Sequence, residues 1–583
     1  MLTVVQNIAA SSPPQAAAKP FVVKFGSSVL RSVADLPRVA GEIYRLRRAG
    51  VPVVVVVSAL AGETDRLFAE AASVAGGSRC RGLAQLVSQG EERAAALLRI
   101  ACDRIGLSAA ICGPEQLGLK TLGDHLSSVP ARLDADALLA RLAKTGLVIV
   151  PGFVGVDEDG ERTLLGRGGS DFSAIFIGGE IGAECVRLYK DVDGVFDRDP
   201  AAADQALHFN DISWADTMQI ARPLIQPESV EYAAGKGLPI EVLSIGGSNP
   251  TRVGHWTGRA TEIVIRPPLR VAIAGYGVVG QALVERLRTE PGFVVVAILV
   301  RDIYRGRQIP PPVPLTSDLQ AFLKVEADIA IDAMSCDETG AFLCNAVLPK
   351  GRHLVSASKR VINSGQSRFS RLAEANQVRL LYSAAVGGSA CVLETTDRAR
   401  AAGPIVEFTA ILNGTVNFIL DGLYAGLSFD EAMREAREAG FAEEDCDFDL
   451  SGDDAAAKLR LVAHRAFGDQ LQEVEVETEA LNPTALARIA ESTERWVQVS
   501  TLLRTTGAVE ARVRLEPVGN SGLIAALPGE WNEATVRLED GRTFSCQGRG
   551  AGGAATAEAI TADLFDIAAA PIRLSSAQLA VAI

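Results

Sequence analysis

Between Gly440 and Leu459 the chain carries seven carboxylates, Glu443, Glu444, Asp445, Asp447, Asp449, Asp453 and Asp454, just ahead of an apolar-periodic stretch. Lys458 follows Asp454 by four residues, which puts both side chains on one helical face. Acids beside an ammonium group attract a cation and can hold a substrate amine. The plainer reading of the same residues is a solvated helix start that complements the macrodipole.

Other residues with chemical capacity sit at the ends of apolar runs. Phe21-Val-Val-Lys-Phe-Gly-Ser-Ser28 reads as a strand running into a small-residue turn. There Lys24, Gly26 and Ser27 offer phosphate a point charge and backbone N–H groups. In Gly166-Arg-Gly-Gly-Ser-Asp171 consecutive glycines, Gly168 and Gly169, open a helix while Arg167 and Asp171 supply one charge of each sign. The alternative there is an ordinary glycine turn. Lys359 ends the apolar segment begun at Gly351, and burial at such a place lowers a lysine's pKa toward working pH, which makes it a candidate proton donor. A lysine at a strand terminus can equally be a surface residue.

The elements that must position these groups alternate between strand and helix. A helix over 35–49 leads to the buried strand 51–57, which ends in the polar loop Ser58 to Asp65, and polar loops at strand C-termini are where parallel sheets keep their ligands. Strand, Gly275-Tyr-Gly-Val-Val-Gly280, helix and second strand Phe293 to Val300 form a βαβ unit of dinucleotide-binding length. Gly275, Gly277 and Gly280, with Val278 and Val279 between, are assigned to the pyrophosphate turn. A second literal match, Gly548 to Gly553, lies too near the C-terminus to build such a unit. Arg301 ends the second strand where an acid would favour NAD, and Asp302 follows it; NADP is the preferred cofactor and NAD the alternative.

At 583 residues the chain needs several cores, and 48% hydrophobic residues with mean hydropathy +0.19 are enough to build them. Net charge −14 excludes a general nucleic-acid or anionic-membrane binder. The nine cysteines have no metal-ligand spacing and read as thiols of a reducing, cytoplasmic compartment. No apolar run is long enough to span a bilayer. The expected organisation is a flexible tail (1–19), a first domain (20–248), a Gly- and Pro-rich linker (249–268), a Rossmann domain (269–388), a substrate and dimerisation domain (389–530) and a C-terminal segment (531–583) returning to the nucleotide-binding domain.

The motif order over 20–248 resembles the aspartokinase branch of the amino-acid kinase family. The matches are Lys24 to Gly26, Ser58 with Ala59 and Thr64, Gly90-Glu91, Gly166 to Asp171, and Asp191, Asp193 and Gly194. The resemblance implies an αβα sandwich in which Ser58, Thr64, Glu91 and Arg167 hold aspartate. It also implies that Lys24, Gly26, Ser27, Gly168, Gly169, Asp171, Asp191 and Asp193 serve Mg-ATP. The chain departs from the pattern in having one glycine before Ser27-Ser28 and Pro223 at the place of a late lysine, near Arg222. No regulatory domains follow before the next domain begins.

Residues 269–583 resemble homoserine dehydrogenase through the Gly275 turn, Ser356-Ala-Ser-Lys359, the turn at Val386, Asn413-Gly-Thr-Val-Asn417, the acidic stretch and Gly548 to Thr556. The resemblance implies that Glu443 and Asp449 bind the amino-acid substrate. Asp454, Lys458 and Lys359 would surround the reacting carbonyl, and Gly550 would lie in a loop closing over the nicotinamide. It also implies a monovalent cation, Na+, on backbone carbonyls of Ser383, Val386 and Gly388, although Ser383 stands where the family has glutamate and Cys391 where proline is common.

The expectation is an α/β protein in which an amino-acid-kinase sandwich is fused to a Rossmann domain with an α/β substrate domain, assembled as a dimer or tetramer. Its substrates would be aspartate and aspartate semialdehyde or homoserine. Two alternatives stand beside it: a dehydrogenase with a degenerate kinase half, and a catalytically silent scaffold. A related semialdehyde as substrate stays open.

Overall fold

The computed structural model describes residues 19–75, 81–166, 168–202, 205–221, 224–263, 266–442, 446–468, 474–506, 508–518, 531–550 and 552–569. Its first sheet is built on runs of β-branched residues. Val53–Val57, five buried valines, pairs in parallel with Phe21–Phe25 on one side and Leu147–Pro151 on the other. Because successive side chains point to opposite faces, Val54 and Val56 enter one core while Val53, Val55 and Val57 enter a second. A sheet buried on both faces tolerates such a continuous apolar run.

Eight strands complete it, in the order Asp211–Ser213, Thr251–Gly254, Ile240–Ser244, Cys185–Lys190, Phe21–Phe25, Val53–Val57, Leu147–Pro151 and Ala110–Ile111. The stretch expected as linker therefore contributes a strand, Thr251–Gly254, and Ala260–Thr261 pairs with His208–Phe209 in a small second sheet.

A six-stranded sheet follows, parallel throughout: Leu315–Thr316, Phe293–Leu299, Leu269–Ala274, Ile329–Asp332, His353–Ser356 and Leu380–Leu381. Numbered within this sheet the order is 3-2-1-4-5-6, and its reversal point lies between Leu269–Ala274 and Ile329–Asp332. The third large sheet orders Val476–Thr478, Ala508–Pro517, Trp496–Thr505, Ile405–Ile411, Trp531–Leu538 and Thr543–Arg549, antiparallel except at the first pair. Helices Val392–Ala402 and Asp453–Phe467 cover its inner face, where Phe408, Leu502 and Val536 meet Leu459 and Val462.

The C-terminal segment divides between two sheets. Its strands stay with the third, whereas the helix Gly553–Ala569 buries Ile560 and Leu564 against Val271 and Leu283 of the parallel sheet and its first helix, Val278–Leu287. The same helix closes the N-terminal half, because Ala562, with Cys391, is part of the core that contains Val39, Ile43 and Tyr44 of the Leu36–Arg48 helix. One core of the N-terminal half thus takes in Cys391, Ala554 and Ala562 from the C-terminal half, while the remaining large clusters belong to one half or the other.

Candidate active sites

A cavity of about 970 Å³ opens where the parallel sheet meets the third sheet. At its centre is Asp454, 4% exposed, in the first turn of Asp453–Phe467. Lys359 Nζ lies 2.7 Å from one carboxylate oxygen and Lys458 Nζ 2.7 Å from the other. Lys458 also donates to the Leu412 carbonyl at 2.6 Å, and Asn413 Nδ2 donates to Asp454 at 2.9 Å and to Asp449 at 2.7 Å. Burial alone would lift the Asp454 carboxyl, but the ammonium groups of Lys458 and Lys359 overcome it and hold the pKa at about 2. For Asp449 burial and then the charge of Asp454 push the pKa up.

Local sequence explains these placements. Gly452 takes φ +85°, a left-handed turn that separates the short helix Asp447–Leu450 from Asp453–Phe467 and lets Asp454 turn inward. Asp453 stays exposed at the edge of the cavity, accepting from the Ser451 hydroxyl at 2.8 Å. Of the seven acids, then, one is a buried counter-ion and another a solvated helix-start residue. Lys359 does not end its strand as expected. The strand stops at Ser356, Ser358 caps a new helix, and Lys359 is its first residue. Glu443 lies outside the described residues.

The Gly275 turn reaches this cavity through Val279. Gly275 has φ +106°, and a Cβ there would fall 2.3 Å from the Ala333 carbonyl at the sheet's reversal point. A Cβ on Gly280 would fall 2.2 Å from the Gly275 carbonyl, while Gly277 faces open space, leaving room for a diphosphate at the start of Val278–Leu287. Val278 is exposed, and Val279 lines the cavity with Gly550. Arg301 is exposed just beyond the second strand. The residues present fit a dinucleotide.

Ser383, Val386 and Gly388 lie in the turn flanking this cavity, and Gly388 lines it. They do not fit Na+ well. The Ser383 carbonyl accepts from Val386 N–H at 3.1 Å, its hydroxyl and N–H donate to Asp563, and the Arg48 guanidinium lies 2.9 Å from that hydroxyl. A fixed cation already stands at the turn. Cys391 takes φ +55°, which a proline ring forbids, so that departure belongs to the local backbone.

A smaller cavity, about 260 Å³, opens at the C-terminal ends of the first sheet and is lined by Lys24, Ser27, Ser58, Thr64, Glu91, Gly168, Gly169 and Asp171, among others. Asp171, 6% exposed, sits between Lys24 at 2.7 Å and Lys190 at 2.8 Å. Burial would raise its pKa, and the two ammonium groups bring it below the usual carboxylate range. Burial lowers that of Lys24. A Cβ on Gly26 would fall 2.3 Å from Lys24 Nζ, and the Gly26 carbonyl closes the shortened loop by accepting from Val29 and Leu30. Gly168 opens the Gly169–Glu180 helix at φ +75°. Glu91 is 2% exposed, accepts from Ala59 N–H at 3.3 Å, and burial pushes its pKa up to about 7.

Two residues beside this cavity were missed. Asp193 accepts from the N–H groups of Ser244, Ser248 and Asn249, and neither it nor Asp191 is among the residues lining this cavity. Lys190, which holds Asp171 and donates to the Leu224 carbonyl at 2.9 Å, brings a second positive charge to this carboxylate; its signal was a lysine at the C-terminal end of a buried parallel strand. Phe153, at φ +67°, lines the cavity with no signal in the sequence. Arg167, Arg222 and Pro223 lie outside the described residues. Among the described residues no three His, Cys, Asp or Glu side chains cluster as a metal site.

Residues 19–243 match the amino acid kinase family, residues 275–383 the NAD-binding domain of homoserine dehydrogenase, and residues 392–565 homoserine dehydrogenase. An aspartate kinase of Pseudomonas putida is 34% identical over 225 residues, 38% of this chain and 55% of that protein. Aspartokinase 2 of Bacillus subtilis is 33% identical over 226 residues, 38% and 55% respectively. The chain spans about half the length of these curated relatives. A homoserine dehydrogenase structure from Thiobacillus denitrificans aligns at 28% identity and TM-score 0.49, covering 52% of this chain and 73% of that one.

Proposed function

We propose, from a chain that joins an amino acid kinase domain to the NAD-binding and catalytic domains of a homoserine dehydrogenase, that its N-terminal half phosphorylates L-aspartate with ATP and its C-terminal half reduces aspartate 4-semialdehyde to homoserine. The observation that carries the reduction is the pair of ammonium groups on Asp454, in a cavity that is also lined by Val279 of the Gly275–Gly280 turn and by Ala333 beside it.

Reduction of an aldehyde needs a hydride at carbon and a proton at oxygen, and a bound nicotinamide dinucleotide supplies the hydride. Lys458 is fixed by Asp454 and the Leu412 carbonyl, which suits it to hold negative charge developing on the substrate oxygen. Lys359 is freer, with a side chain 30% exposed and one ion pair, and we assign it the proton. Asp449, with Glu443, would take the substrate ammonium and fix its pose. Arg301 favours NADPH over NADH through the ribose 2′-phosphate.

In the N-terminal half Lys24, Lys190 and the glycine turn at Gly168 would neutralise transferring phosphate, and Glu91 with Ser58 and Thr64 would hold aspartate. Magnesium would arrive on ATP, coordinated mainly by phosphate and water. The eight free cysteines among the described residues support a reducing, cytoplasmic setting, and no described helix is long and apolar enough to cross a membrane. We take the protein to act as a homo-oligomer, a dimer or tetramer.

Lys24→Met is the test of the kinase half. Aspartate-dependent ATP turnover that the variant loses supports this reading, and its absence from the wild type would leave a degenerate kinase domain on an active dehydrogenase. NADPH oxidation with the semialdehyde, lost in Lys359→Ala, tests the other half and excludes a silent scaffold. Related semialdehydes assayed in parallel identify the substrate.

A further inference from the structure

The Leu36–Arg48 helix belongs to the kinase half, yet its last residue is buried in the other half. Arg48, with 7% of its side chain exposed, places Nη2 2.9 Å from the Ser383 hydroxyl and 2.8 Å from Glu394, and it also pairs with Asp563. Asp563, fully buried in the C-terminal helix, in turn accepts from Ser383 Oγ at 2.7 Å and Ser383 N–H at 3.2 Å. One guanidinium from the kinase half therefore ties together the turn at 383, the helix beginning at Val392 and the C-terminal helix.

Two of those elements, the turn and the C-terminal helix through Thr556, border the dinucleotide cavity. Ala384, Ala385, Gly387 and Gly388 line it directly. Gly388 packs so closely on the loop before the C-terminal helix that a Cβ would fall 2.5 Å from the Arg549 carbonyl, and Gly550 of that loop is also cavity lining. The kinase half touches the same place a second time. A Cβ on Gly106 would fall 2.1 Å from Ser389 Oγ, the atom that accepts from Arg549 N–H at 3.1 Å.

We propose that Arg48 is a positioning residue for the dehydrogenase site: the kinase half completes the dinucleotide cavity by holding the 383–388 turn against Arg549 and Gly550. Removing the guanidinium leaves the buried Asp563 and the half-buried Glu394 without their shared counter-ion, a costly state that displacement of the turn relieves.

The inference rests on reading the larger cavity as the dinucleotide site, and one experiment separates the two. NADPH affinity is measured on the full chain by nicotinamide fluorescence for wild type, Arg48→Met, Arg48→Lys and Ser383→Ala, with thermal melting and the kinase rate followed alongside. Arg48→Met should weaken NADPH by about tenfold, within the usual range of coupling between sites, Arg48→Lys should recover part of the loss, and added ethylguanidinium should restore Arg48→Met further. Ser383→Ala keeps the charges paired and serves if Arg48→Met melts early; it should weaken NADPH at unchanged melting temperature. Wild type that does not bind NADPH would sink the reading of the cavity. Wild-type binding with Arg48→Met and Ser383→Ala both within twofold of it would overturn the role of Arg48.

Discussion

Lys359 Nζ lies 2.7 Å from Asp454 Oδ1, although the two residues open helices in different domains, one after a strand of the parallel sheet and the other after the acid-rich turn. Lys458 reaches the other oxygen of the same carboxylate. Asp454 therefore sets the separation of the two ammonium groups without itself facing bulk water, and in the proposed reduction it would hold them in place.

Asp454→Asn should lower kcat of the semialdehyde reduction by about a hundredfold or more, because preorganised charge is a large share of such catalysis. NADPH affinity should change little. With its folded-state pKa held at about 2, below the ordinary value, the stabilisation from Asp454 is complete above the ordinary carboxylate range and is lost as pH falls through about 2. Steady-state kinetics and acid unfolding of the variant check both halves, and a kcat within threefold of wild type would refute the assignment.

Glu91 predicts the opposite pH behaviour in the kinase half. Its folded-state pKa of about 7 lies above the ordinary value, so between the two the native state binds more protons than the unfolded chain, and stability falls as pH rises across that window. Glu91→Gln should melt close to wild type at pH 5 and higher than wild type at pH 8. If Glu91 receives the aspartate ammonium, KM for aspartate should fall as pH rises through 7 in wild type and stay flat and high in the variant.

Lys190 should be as necessary to phosphoryl transfer as Lys24. Lys190→Met removes one of the two ammonium groups on Asp171 and should cost the kinase about a hundredfold in kcat while leaving NADPH oxidation unchanged. A kinase rate within threefold of wild type would mean that Lys190 only anchors Asp171 and the Leu224 carbonyl.

The guanidinium at Ser383 bears on monovalent ions. Replacing Na+ by choline at constant ionic strength should leave the dehydrogenase rate unchanged, since Arg48 provides the positive charge at that turn. A severalfold loss on removing Na+, restored by millimolar Na+, would place an ion on the carbonyls after all.

The sequence alone determined the local devices. Strand and turn periodicity placed Lys24, the glycines of 166–169 and the Gly275 turn at strand ends, because these features depend on residues within about one supersecondary unit. It could not determine which acid of the seven would be buried, since Asp453 and Asp454 are neighbours of one type and only the left-handed turn at Gly452 and the inner face of the third sheet separate them. Nor could it reach Lys190 beside Asp171, the diversion of Asp193 to the 244–249 loop, or Arg48 inside the dehydrogenase half, where the partner Ser383 is 335 positions away. Those pairings were decided by tertiary structure, because a buried charge must find a counter-ion in space, and nothing in the spacing along the chain says which one it will meet.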